Sequence, residues 1–165
     1  MTESRIIPLA VLSVVAVATF TIAGPIASLF NDAPKEIQWQ TDLNEAHQQS
    51  VLENRPMLLV FDADWCRYCD KMEKATFMDS SVVTYVNEKF VPVHLDLAGN
   101  MKIAEILEVE RIPCTIALSP RADLLGRVVG YVNTVQYRET LIQVRALQTR
   151  VERELASEAD QASDR

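Results

Sequence analysis

Cys66 and Cys69 stand three positions apart in Trp65-Cys66-Arg67-Tyr68-Cys69. An apolar run, Met57-Leu-Leu-Val-Phe61, lies just before them, and a stretch that reads as a helix, Asp70-Lys-Met-Glu-Lys-Ala-Thr-Phe77, just after. Two thiols at this spacing on the first turn of a helix can close into a small disulfide ring and reopen. The partial positive charge of a helix N-terminus favours the thiolate of the first cysteine over its thiol. The chemistry this allows is thiol–disulfide exchange, with Cys66 attacking a disulfide and Cys69 resolving the mixed disulfide that results. A C-x-x-C alone is a weak signal, but one held between a buried strand and a helix is a good one.

The remaining composition narrows the classes. A chain of 165 residues has room for one ordinary domain and an appendage. A net charge of -7, without a basic stripe interleaved with aromatics, argues against a nucleic-acid partner. Three cysteines are too few for a disulfide scaffold, and two of them lie close enough to act as a pair.

The elements that must position this pair follow from the pattern along the chain. Ile6 to Phe30 is a run of 25 residues without a charged side chain. As a helix it would be about 37 Å long, against a hydrocarbon core of roughly 30 Å. Arg5 precedes it and no Lys or Arg follows before Lys35, so the N-terminus should stay cytoplasmic and the remainder cross. An uncleaved anchor fits the full length. A cleaved signal peptide competes with it, using Ala16-Val17-Ala18 or Thr21-Ile22-Ala23, although Pro25 would hinder cleavage at the second. Residues 31–36 then form a polar linker.

Ile37 and Trp39 alternate with polar neighbours, which predicts a short edge strand. Asp42-Leu-Asn-Glu45 has a helix-start signature, and Leu43, Ala46, Val51 and Leu52 are spaced for a helix ended by Arg55-Pro56. His47 falls in that helix and reads as solvent-facing or partly packed, with no second ligand at a metal spacing. Met57 to Phe61 suits a parallel strand covered on both faces. Past the cysteine helix, Met78-Asp-Ser-Ser81 is a break and a fresh cap, and Val82, Val83, Tyr85, Val86 and Phe90 form one side of another helix. Val91 to Leu97 is the next strand, with Pro92 best placed near its start and His94 reading as a partly buried strand histidine. A helix carrying Ile103, Ile106 and Leu107 follows. Thr115 to Leu118 and Gly126 to Val132 then make a hairpin, and Asn133 caps a long final helix expected to fray past Arg150.

In order these elements are β-α-β-α-α-β-α-β-β-α, with the cysteine pair after the second strand. With Trp65-Cys66-x-x-Cys69 and the later Ile112-Pro113, residues 37–150 resemble the thioredoxin superfamily. Ala63-Asp-Trp-Cys-x-x-Cys69 followed by Glu73-Lys-Ala-Thr-Phe77 and Asp79 is similar to the C-terminal domain of transmembrane thiol-disulfide interchange proteins and to their small secreted relatives. The fold implied is α/β and thioredoxin-like, a central mixed sheet flanked by helices, here preceded by a hydrophobic helix within residues 1–30 and followed by an acidic tail, 151–165.

The resemblance further implies that Cys66 is the exposed nucleophile, that Cys69 is the buried resolving thiol, and that Trp65 packs beside them. Pro113 matches the family's cis proline, whose geometry exposes the backbone of Ile112 for a substrate strand to pair beside the sulfur. Two departures stand out. The family's buried acid, six residues before the first cysteine, is replaced by Val60, so water or Asp62 would have to move the proton of Cys69. Arg67-Tyr68 replaces the commonest Gly-Pro; Arg67 should favour the Cys66 thiolate, with Asp64 or Asp70 opposing. Cys114 occupies a place usually held by Thr and reads as a small buried hydrophobe, the sharper option being an alternative disulfide with Cys66.

The expected activity is a membrane-tethered thiol-disulfide oxidoreductase, reducing or isomerising protein disulfides in the periplasm or at the outer cell surface. It would need no cofactor beyond Cys66 and Cys69 and would draw electrons from a partner redox protein. If the signal is cleaved, the same domain is secreted or periplasmic. Two other classes compete. One is soft-metal handling, with Cu(I) held by the two cysteines and His94 as the one distant further candidate. The other is a non-enzymatic binding module that keeps the fold alone.

Overall fold

The computed structural model describes residues 35–163. The hydrophobic segment expected at residues 6–30 lies outside the described residues, as does most of the linker. Among the described residues no helix is long and apolar enough to cross a membrane.

The elements are α1 (Leu43–Glu53), β1 (Met57–Asp62), α2 (Arg67–Met72), α3 (Ser80–Lys89), β2 (Val91–Asp96), α4 (Met101–Ile106), β3 (Cys114–Leu118), β4 (Leu124–Val129) and α5 (Thr134–Ser163). The sheet order is β2-β1-β3-β4. β1 runs parallel to β2 and antiparallel to β3, and β3 pairs antiparallel with β4, so the sheet is mixed. The resulting fold is thioredoxin-like, with helices on both faces.

The side-chain period of a strand divides the core in two. Leu58 and Val60 of β1 face α3, α5 and the segment after the cysteines, in a layer with Met72, Phe77, Val86, Tyr137 and Leu141. Met57, Leu59 and Phe61 face the other way, with Ala46 of α1, Ala104 of α4, Ile116 and Cys114. The unbroken apolar run of β1 is therefore the signature of a strand covered on both sides. Both helices predicted from N-cap acids have them: Asp42 accepts from the amides of Asn44 and Glu45 at 2.8 and 3.0 Å, and Asp79 from that of Ser81 at 2.9 Å.

Five expectations change. The edge strand at Ile37 and Trp39 is reduced to one parallel bridge, Gln40 to Val93. The backbone before it is diverted into a bend, Trp39 N–H to Ile37 O at 3.0 Å, and the Gln38 amide donates to the Asn87 side chain instead of a strand. The helix after the cysteines is not continuous: α2 gives way to a π-helical turn, Glu73–Phe77. The last strand ends at Val129, because Gly130 takes a left-handed φ of 84° and turns the chain toward α5. α5 itself continues through Ser163, as the Ala and Glu of its distal turns are good helix formers. Val51, Leu52 and Ile106 point outward, while Ala46 and Ala104 are buried and Leu43 and Ile103 pack against the same layer.

Candidate active site

β1 delivers the chain to the cysteines. After Asp62 it turns through Ala63, Asp64 and Trp65, a turn closed by the Cys66 amide donating to Ala63 O at 2.9 Å. Cys66 keeps an extended backbone (φ -90°, ψ 99°) and acts as the N-cap of α2, its Sγ accepting from the Cys69 amide at 3.2 Å. The Cys69 amide is thus shared between Cys66 Sγ and Cys66 O, and the Asp70 amide donates to Cys66 O at 3.1 Å, at a helix end that carries partial positive charge. Cys66 and Cys69 are joined as a disulfide, S–S 2.11 Å and Cα–Cα 5.2 Å.

In this oxidised form the expected contrast between an exposed Cys66 and a buried Cys69 is absent: they are 6% and 7% exposed. Trp65, expected beside the pair, is 75% exposed, and Tyr68 is 65% exposed. Arg67 and Asp70 are exposed, and Arg67 forms no ion pair among the described residues. Beside Trp65 an open apolar groove is lined by Ala63, Leu97, Ala98, Met101 and Val109.

The Ile112–Pro113 bond is cis, with Ile112 half-buried and Pro113 buried. Cys114, next to it, is free and 1% exposed in the layer facing α1 and α4, and burial pushes its thiol pKa up. His47 is exposed and meets Pro120 O at 3.1 Å.

Asp62 is placed where the sequence could not fix it. The β1–β2 register sets Val60 opposite His94 and Asp62 opposite Asp96, and parallel partners share a face. His94 Nε2 consequently lies 2.7 Å from Asp62 Oδ2. The bond to Asp62 raises the pKa of His94, partial burial opposes this, and the charges of Asp62, Glu73 and Asp96 add to the rise. Glu73, on the π-helical turn, is pushed up by partial desolvation, with the His94 charge pulling it down. These groups converge on a cavity of about 200 Å³ lined by Asp62, Asp64, Cys69, Glu73, His94 and Trp39. The sequence offered His94 only as a partly buried strand residue or a distant candidate for a Cu(I) site, and assigned Glu73 no site role. The only available signal was the period-two alternation of β2, which sends His94 to the face of Val60. Among the described residues no three His, Cys, Asp or Glu side chains are grouped to hold a metal ion.

Comparison with known proteins agrees with this geometry. Residues 43–145 match the family model of the thioredoxin-like domain. The thiol:disulfide interchange protein DsbD of Pectobacterium atrosepticum is 27% identical over 106 residues, 61% of this chain but 18% of that protein. The chain therefore spans about a fifth of the length of the curated relatives it matches. Among solved structures, the oxidoreductase DsbH superposes with a TM-score of 0.63 at 20% identity, covering 70% of this chain and 88% of the other. The oxidised C-terminal domain of Neisseria meningitidis DsbD gives 0.55 at 21% identity, covering 64% and 97%. Fold, register and sequence match together show that this chain belongs to the thioredoxin-like domain family.

Proposed function

We propose that this chain is a thiol–disulfide oxidoreductase that reduces or isomerises protein disulfides through Cys66 and Cys69. The observation that carries the reading is the disulfide closed across the first turn of α2, with the Cys69 amide donated to Cys66 Sγ. In the reduced protein, the Cys66 thiolate attacks a substrate disulfide, and one substrate sulfur leaves as a thiolate. Cys69 then attacks Cys66 Sγ, releasing the second substrate sulfur and restoring the disulfide. Trp65, Arg67 and Tyr68 form the rim a protein substrate meets first, and Ile112 and Pro113 supply the strand edge that the family resemblance implies. No cofactor beyond the two cysteines is required, and a partner redox protein returns the electrons.

The domain is tethered outside the cytoplasm by residues 6–30. Supporting this are the uncharged run itself, the Arg5–Lys35 charge asymmetry, and similarity to a thiol:disulfide interchange protein. Reduction of insulin by the full chain, with a dithiol as electron source, tests the activity. Cys66→Ser should abolish turnover, and Cys69→Ser should accumulate a mixed disulfide on Cys66. Wild-type turnover by Cys66→Ser would refute the assignment of the nucleophile.

A further inference from the structure

Resolution of the mixed disulfide has a requirement that the cysteines do not meet themselves. Cys69 is 7% exposed, and its thiol must lose a proton before the sulfur can attack. The cavity beside it is large enough for several waters and is lined by polar groups that can hold them. Five acids and one base border or face this space. Asp62 and Asp64 come from the end of β1 and the turn after it, Asp70 from α2, Glu73 from the π-helical turn, and His94 and Asp96 from β2.

Resting on the activity proposed above, we propose that the Asp62–His94 pair is the proton acceptor for Cys69, reached through the water of this cavity. With Nε2–H donated to Asp62 Oδ2 at 2.7 Å, Nδ1 is left as the basic atom of the neutral ring. In the resolving step the Cys69 S–H bond breaks and its proton passes by water to His94 Nδ1. The freed electron pair forms the bond to Cys66 Sγ. The bond from Cys66 to the substrate sulfur breaks, and that sulfur leaves with its electron pair and takes a proton from solvent. Cys66 and Cys69 are oxidised together, and the substrate disulfide is reduced by two electrons. His94 afterwards returns its proton through the open side of the cavity.

Relative basicity selects histidine over the ordinary acids. Transfer from a thiol of pKa about 8.5 to a carboxylate near 4 is unfavourable by about 10⁴-fold, and to an imidazole at about 6.5 by about 10²-fold. The Asp62 bond and the surrounding acids lessen the second figure further. Glu73 is the competing acceptor, since desolvation raises it as well.

The test follows the reduced full chain reacting with 5,5′-dithiobis(2-nitrobenzoate) in stopped flow. The first thiolate released reports attack by Cys66, and the second reports resolution by Cys69. In the wild type the second phase should rise with pH through an inflection above the ordinary histidine value. His94→Gln should slow the second phase at least about tenfold relative to the first and remove that inflection. Asp62→Asn, which leaves the imidazole in place, should shift the inflection downward. Glu73→Gln should keep it. An unchanged ratio of phases and an unchanged profile in His94→Gln would overturn the assignment alone, as would loss of the inflection in Glu73→Gln only. Absence of the first phase in the wild type would overturn the proposed activity, and this assignment with it.

Discussion

The Asp62–His94 pair also links folding to pH, and the sign of that link follows from its geometry. His94 has a higher pKa in the folded protein than the roughly 6.5 of an unfolded chain, chiefly through its bond to Asp62. Below the unfolded value the ring is charged in both states, and the stabilisation from Asp62, Glu73 and Asp96 is fully present. As pH rises through the folded value the charge is lost, and the contribution with it. The side chains are 37% and 27% exposed, so solvent screens much of the attraction. Exposed ion pairs contribute about 0.2–1 kcal/mol, and partial burial with two further acids places this pair at the upper end, about 0.5–1 kcal/mol. The perturbation is His94→Gln, which cannot be charged but can still donate to Asp62. Urea unfolding of the oxidised proteins at about pH 5 and about pH 9 isolates the effect, because other titrating groups cancel between wild type and variant. With a slope of about 1.5 kcal/mol per molar urea, the gap between the two midpoints should be about 0.3–0.7 M wider at the acid pH. A gap equal at both pH values, or wider at the alkaline one, would refute the reasoning.

Three further outcomes concern the frame that carries the site. Gly126→Ala places a Cβ 2.8 Å from Val144 Cγ2, a stiff β-branched side chain buried on α5, and should cost about 1–3 kcal/mol by calorimetry. Tyr137 is fully buried with its hydroxyl 3.4 Å from Thr115 Oγ1, so Tyr137→Phe should cost about 0.5–1 kcal/mol in urea unfolding. Tyr137→Ala, which empties the layer beneath β1, should cost about 3–5 kcal/mol, and equal costs for the two variants would place the energy in the hydroxyl instead. Cys114, 1% exposed and with its thiol pKa raised by burial, should resist N-ethylmaleimide in the native oxidised protein. Mass spectrometry should find one label only after denaturation, and a native label would show that the layer beneath Pro113 opens.

Much of the fold could be read because it depends on local rules. The unbroken apolar run of β1, the alternation of β2, and the cap acids Asp42 and Asp79 each fix an element within a few residues, and those elements formed. What failed depends on where backbone donors go in three dimensions. Nothing in Ile37-Gln-Trp39 shows that Asn87, far along the chain, will take the Gln38 amide and leave a single bridge in place of a strand. The π-helical turn is equally hidden, since Glu73 to Phe77 has the composition of an ordinary helix. Val51, Leu52 and Ile106 show the opposite error. They continue an apolar spacing, but helices that face the sheet through Leu43, Ala46, Ile103 and Ala104 leave them outside.

The site divides along the same line. Cys66 and Cys69 were legible because their chemistry is set by spacing along one chain segment. Of the pair proposed to serve Cys69, Asp62 was legible as a candidate but His94 was not, because its position depends on register between two strands more than thirty residues apart. From β1 alone, Val60 looks like the loss of a buried acid, and Asp62 like a weak substitute at the strand end. Once β2 pairs in parallel, His94 stands directly beside Val60 and reaches Asp62, which restores a titratable group to the face beneath the cysteines. A one-residue slip of β2 would send His94 into the layer facing α1 and expose Val93 or Leu95 to the cavity. That cost in buried apolar surface holds the register. The packing of Val91, Val93 and Leu95, three residues without chemistry of their own, is therefore what places the imidazole.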